Sequence, residues 1–342
     1  MTSTPDGHGS VAAVVVTYNR KDYLSQLLPS LLASTRPLDA IYVVDNASTD
    51  GTQDFLAEHY GDVPTVKPVL LTDNTGGSGG FYSGVLAAYA DGHDWFWLMD
   101  DDVTALPDGL EGLLRFGDRS GCIHGRRVDF HGGAFFWQPR INEPLGIPLP
   151  YLRDPFADGA EVFETNSGVF EGMLVSRDVV SKIGPPDPRF FITWDDAVYA
   201  LVASRVTKVV YVDHFSLKRQ REQRQASLAV RHLNDASDLF RFHVMRNRGY
   251  MAHYLRHLGA YNAPGFALGT LLTFLKEMLR LVYVEHSLHG TRALLRGWRE
   301  SRRILRQPWQ PIGTSELDAP AAPPDRPQQL TACLPDRGAA RT

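Results

Sequence analysis

Cysteine is nearly absent. Cys122 and Cys333, the two in 342 residues, are far apart, which argues against a disulfide framework or a thiolate metal site and fits a reducing cytoplasm. The first ten residues are polar and lack the apolar core of an export signal. Uninterrupted apolar runs of spanning length are also missing. The most apolar late stretch, 265–284, is broken by Lys276, Glu277 and Arg280, so a membrane-crossing helix is not expected. With 43% hydrophobic and 22% charged residues, the chain reads as an ordinary globular protein.

Charge is unevenly distributed. The net charge is −4, yet between Arg241 and Arg306 twelve basic residues face three acidic ones, a surplus of nine. A basic carboxy-terminal region attached to a more acidic body suits contact with phosphates or an anionic membrane surface.

What is present is a recurring pattern of short apolar runs ending in polar loops. Val11–Val16 leads into Thr17-Tyr18-Asn19-Arg20, and Ala40–Val44 leads into Asp45 and Asn46. Val69–Leu71 leads into Asp73, Asn74 and a glycine cluster over 76–80. Trp95–Met99 leads into Asp100-Asp101-Asp102. Strand, loop and helix repeating in this order predict an open α/β sheet with ligands at the carboxyl ends of its strands. Alternation along an extended chain lets Asp100 and Asp102 converge while Asp101 turns away. Two converging carboxylates suit Mg²⁺ or Mn²⁺; a solvated acidic turn is the other reading.

Asp45 is placed to accept hydrogen bonds from a base or ribose, and Arg20 to meet a phosphate. The glycine cluster allows close backbone approach near a helix start, which favours anions. It begins like a dinucleotide fingerprint, the mark of a nucleotide-dependent oxidoreductase. Tyr82, however, replaces the third glycine, and the cluster follows the third strand rather than the first. A second pair of carboxylates, Asp195 and Asp196, follows Phe190–Trp194 at a predicted helix start. Asp195 suits a helix cap, whereas Asp196 in the same cleft as a cation would be a general base. His214 ends another predicted strand, where it is either structural or a further metal ligand.

In this order the elements resemble the family 2 glycosyltransferases, over about Val11 to His214. The resemblance is carried by Val15-Val16-Thr17-Tyr18-Asn19-Arg20, Val44–Asp50, Asp100–Asp102 and Trp194-Asp195-Asp196 together. Asn74–Phe81, Phe191–Asp196 and Arg246–Tyr250 look most like bacterial galactofuranosyltransferases and their rhamnosyltransferase relatives. The resemblance implies a GT-A fold and inverting transfer from a UDP- or dTDP-sugar to a cell-envelope glycan or lipid-linked saccharide. It implies that Thr17, Arg20, Asp45, Asn74 and Asp100 serve the donor. Asp100, Asp102 and His214 would hold Mn²⁺ or Mg²⁺, and Asp196 would deprotonate the acceptor. Trp194, Asp195 and Trp137 would contact the acceptor. One departure is Val198, where relatives often carry a further acid.

Arg292, Arg296, Arg299, Arg303 and Arg306 recur at spacings of four and three, which makes a basic amphipathic helix. Its arginines either face solvent beside a packed leucine side or meet anionic lipid at the inner face of the cell membrane. Nucleic acid is not expected as a partner, because stacking aromatics do not accompany the basic residues. The expected organisation is a disordered start over 1–10, a GT-A domain over 11–215, a helical basic region over 216–310 and a disordered tail over 311–342.

Overall fold

The computed structural model describes residues 9–135, 139–151, 153–222, 226–228, 231–233 and 237–318. Its first half alternates strands and helices. The order is β1 (Val11–Thr17), α1 (Lys21–Leu32), β2 (Ala40–Asp45), α2 (Thr52–Tyr60), β3 (Val66–Leu70), α3 (Gly76–Ala90) and β4 (Trp95–Asp100). The four strands are parallel in the order β3–β2–β1–β4. Thr17 pairs with Asp45 and Val16 with Asp100, so three polar strand ends lie side by side.

Continuous apolar runs form these strands because both sheet faces are covered. Ala13 and Val15 of β1, with Trp97 and Met99 of β4, pack with Leu24, Leu27, Leu28 and Leu31 of α1. Ala12 and Val14, with Phe96 and Leu98, pack on the other side with Phe81, Val85 and Ala88 of α3. The glycines of α3 let that helix lie close to β1. A Cβ at Gly80 would stand 2.4 Å from Val16, and one at Gly84 2.4 Å from Val14.

The sheet then becomes mixed. It adds β5 (Val103–Ala105), α4 (Gly109–Leu114), β6 (Cys122–Val128), β7 (Ala134–Phe135) and a separate hairpin, β8 (Pro139–Asn142) and β9 (Ile147–Pro150). After these come β10 (Val162–Thr165), β11 (Met173–Ser176), α5 (Arg177–Ile183), α6 (Asp195–Ala203) and β12 (Val209–Arg219). The full path is β10–β12–β6–β11–β4–β1–β2–β3, with β11 antiparallel to both β4 and β6. β12 runs to Arg219, past the expected boundary at 215, because its last residues pair with β5.

Four α-helices follow among the described residues: α7 (Asp238–Arg246), α8 (Arg248–His257), α9 (Ala263–Tyr283) and α10 (Thr291–Ile304). They pack on the sheet domain through a cluster of Phe190, Val198 and Leu201 with Met251, Leu255 and Phe266. Arg248 is fully buried here. Its guanidinium donates to the carbonyls of Leu145 and Gly146 and to Thr270 Oγ1, which fixes the β8–β9 turn to α9. The tail expected from 311 is ordered through 318. Tyr82 donates to Glu316 at 2.9 Å, and Leu317 packs beside the α3 cluster.

Candidate active site

The carboxyl ends of β1 and β4 open into a cavity of about 670 Å³, whose lining includes Arg20, Asp100, Asp102, Asp195 and Asp196. Asp101 turns onto Thr17, whose hydroxyl donates to it at 2.7 Å. Arg20 pairs with Asp101 at 3.0 Å and with Asp102 at 3.3 Å. Burial, with Asp102, Glu171 and Asp101 near, pushes the Asp100 carboxyl well above the usual carboxylate range. That excess of negative charge fits a hard cation with oxygen ligands. Among the described residues no group of three or more His, Cys, Asp or Glu could hold a metal ion. Asp100 and Asp102 are two carboxylates that line the cavity together.

The second pair is delivered by a strained loop. Phe191, Thr193 and Trp194 all have positive φ, at 67°, 65° and 71°, where side chains other than glycine are uncommon. The loop is held from outside. The Asn247 amide, buried at the α7–α8 junction, donates to the carbonyls of Phe190, Ile192 and Thr193 at 2.9, 2.8 and 3.0 Å. Arg246 donates to Arg189 O at 3.0 Å. From the sheet side, Ser78 N–H donates to Phe191 O at 3.2 Å. Ser78 Oγ also donates to Asp195 at 2.7 Å. A Cβ on Gly76 would stand 2.0 Å from Phe191 O, so the start of α3 is shaped to seat this loop. Burial, and then the charge of Asp195, push Asp196 up to about 8. Asp196 accepts from Ala197 N–H at 2.7 Å.

Two of the expected residues, His214 and Trp194, turn away from the cavity. The His214 ring packs against Gly112 of α4, and its Nε2 lies 3.1 Å from Asp108 O. It does not line the cavity, because β12 turns that side chain toward α4 rather than toward Asp100. Trp194 is also turned away: its indole N–H donates to Val244 O, and its ring joins the helical cluster. Asp45 is buried and accepts from Ser48 N–H and from Gln53 Nε2, the latter at 2.7 Å, so it fixes the loop after β2. Asn74 is exposed and accepts from Gly76 N–H at 2.8 Å. Trp137 lies outside the described residues.

Sequence reasoning missed a further charged group in the lining. Arg127 of β6, Arg219 of β12 and Glu171 before β11 all line the cavity. Glu171 meets Arg219 at 2.9 Å and Arg127 at 3.4 Å, and both guanidinium groups lie over the Phe135 ring. Lys276 and Arg280 of α9 also line it. A cavity lined by several cationic groups and two carboxylate pairs can bind a diphosphate and move a proton.

The chain belongs to the family described as Glycosyl transferase family 2, whose profile matches residues 12–184. It resembles the galactofuranosyltransferase GlfT1 of Mycobacterium tuberculosis, at 32% identity over 203 residues covering 55% of this chain and 62% of that protein. GlfT1 of Mycolicibacterium smegmatis is 27% identical over 204 residues, covering 54% and 62%. The matches thus span 62% of the length of those curated relatives. Among solved structures, S. aureus TarS 1-349 superposes with a TM-score of 0.54 at 14% identity, over 87% of this chain and 81% of that one. GalNAc-T7 with UDP, GalNAc and Mn²⁺ superposes with a TM-score of 0.51 at 12% identity, over 62% and 44%. These likenesses show the mixed α/β fold of the GT-A glycosyltransferases.

Proposed function

We propose that the protein transfers a sugar, galactofuranose or rhamnose, from a UDP- or dTDP-sugar to a hydroxyl of a cell-envelope glycan or glycolipid, with inversion. The observation that carries this reading is the meeting of two carboxylate pairs in one cavity, the first with Asp102 paired to Arg20 and the second with Asp195 accepting from Ser78. Asp100 and Asp102 would hold Mn²⁺ or Mg²⁺, which when bound neutralises charge on the departing diphosphate. Arg127 and Arg219 present N–H donors to the same negative charge. Asp196 takes the proton from the acceptor hydroxyl on the other side of the sugar, and its raised pKa suits a base working near neutral pH. One displacement with base and leaving group on opposite sides inverts the anomeric centre. The names of the relatives support galactofuranose as the first donor to try.

The test is a panel of UDP- and dTDP-sugars with Mn²⁺, scored by release of the nucleoside diphosphate and by the mass gain of saccharide acceptors. A gain of one hexose or deoxyhexose on an acceptor supports the reading. Absence of both release and mass gain across the panel would overturn it.

A further inference from the structure

α9 is built inside out. Its charged residues turn inward: Glu277 is fully buried between Lys276 at 2.8 Å and Arg280 at 2.5 Å, and both of these cations line the catalytic cavity. Five of its six leucines turn outward. Leu268 is 50% exposed, Leu275 46%, Leu279 50% and Tyr283 63%, with Leu271, Leu272 and Val282 exposed between them. Spacings of three and four place these residues on one stripe, and Lys276, Glu277 and Arg280 fall off it. A helix that faces water ordinarily shows the reverse pattern. A continuous apolar strip of this kind marks a surface made for an apolar partner.

On α10, Leu295 is 40% exposed beside exposed Arg292 and Arg299, with Arg302, Arg303 and Arg306 further along. α10 packs against α9 through Phe274 and Trp298, whose ring centroids are 5.2 Å apart, and through Leu281 and Leu294. The two helices therefore present leucines and arginines as one unit. No helix among the described residues is long and apolar enough to cross a membrane. We propose that the α9–α10 face lies in the surface of an anionic lipid bilayer, with the α9 leucines in the acyl boundary and the α10 arginines at the headgroups. Charge selects this occupant over a second copy of the chain. Two such faces would bring like-charged arginine rows together, whereas anionic headgroups attract them. The opposite side of α9 then holds the catalytic cavity next to the bilayer.

The test uses the full chain and flotation with phosphatidylcholine vesicles, with and without phosphatidylglycerol. It needs no turnover, so it stands apart from the proposed reaction. The protein should float with phosphatidylglycerol vesicles, less so at high salt. Leu271→Gln/Leu275→Gln/Leu279→Gln should lower partitioning by roughly tenfold or more while leaving the melting temperature and far-ultraviolet dichroism unchanged. Arg299→Glu/Arg303→Glu should abolish the preference for phosphatidylglycerol. Failure of the wild-type chain to float would overturn the proposal, as would equal flotation of the triple variant. A wild-type dimer that the triple variant converts to monomer, without vesicle binding, would assign the face to a second copy instead.

Discussion

The two carboxylate pairs reach one cavity by opposite means. Asp100 and Asp102 leave a parallel strand whose register is set by its neighbour β1, and Asp102 is held locally by an ion pair with Arg20. Asp195 and Asp196 leave a loop with three positive-φ side chains, held by the Asn247 amide and by the start of α3. The first pair is placed by ordinary sheet geometry. The second depends on strain that the carboxy-terminal helices hold in place, so those helices belong to the chemistry as well as to the packing.

That contrast can be tested by breaking each side. The largest effect is expected at the strand end: Asp100→Ala or Asp102→Ala should weaken Mn²⁺-dependent donor binding by more than about 100-fold, measured by titration calorimetry. Next comes the loop clamp. Asn247→Ala leaves three carbonyls without their donor and should cost about 3 kcal/mol in urea unfolding. It should also lower kcat by roughly tenfold with KM nearly unchanged, since it acts through the position of Asp196. Asn247→Asp, which keeps the shape but lacks the donor hydrogens, should not restore kcat.

A smaller effect follows from charge. Asp196 is raised in the folded protein, so the folded state binds its proton more tightly, and stability falls as pH rises from the ordinary value of 3.8 to about 8. Asp196→Asn removes that loss. Its melting temperature should therefore exceed that of the wild type at alkaline pH, with the gap closing as pH falls toward 4. The smallest effect is expected at His214, which sits on α4. His214→Gln should change the metal response by less than about twofold.

Legibility in the sequence followed the same division. A strand alternates in a fixed way, so Trp95–Asp102 announced both a buried strand and converging acids. The apolar runs likewise revealed the parallel half of the sheet. Arg127, Glu171 and Arg219 gave no such signal. They belong to β6, to the turn before β11 and to β12, and they meet only because the sheet order places β6 between β11 and β12. Trp194 is expected at the acceptor, but the left-handed backbone at that residue turns its ring toward Val244. The inverted pattern of α9 was present in the sequence as Lys276, Glu277 and Arg280 among leucines. Only packing showed that those charges face the cavity, and the expected lipid contact was therefore assigned to α10 alone.

The division of labour between the pairs is the central claim, and one paired measurement addresses it most directly. UDP-galactofuranose binding and acceptor transfer are measured with Mn²⁺ for Asp196→Asn and Asp102→Asn side by side. Asp196→Asn should bind the donor like the wild type and lose transfer by about 1000-fold or more, whereas Asp102→Asn should lose Mn²⁺-dependent donor binding itself. Full transfer by Asp196→Asn, or equal loss of donor binding in both variants, would contradict the account.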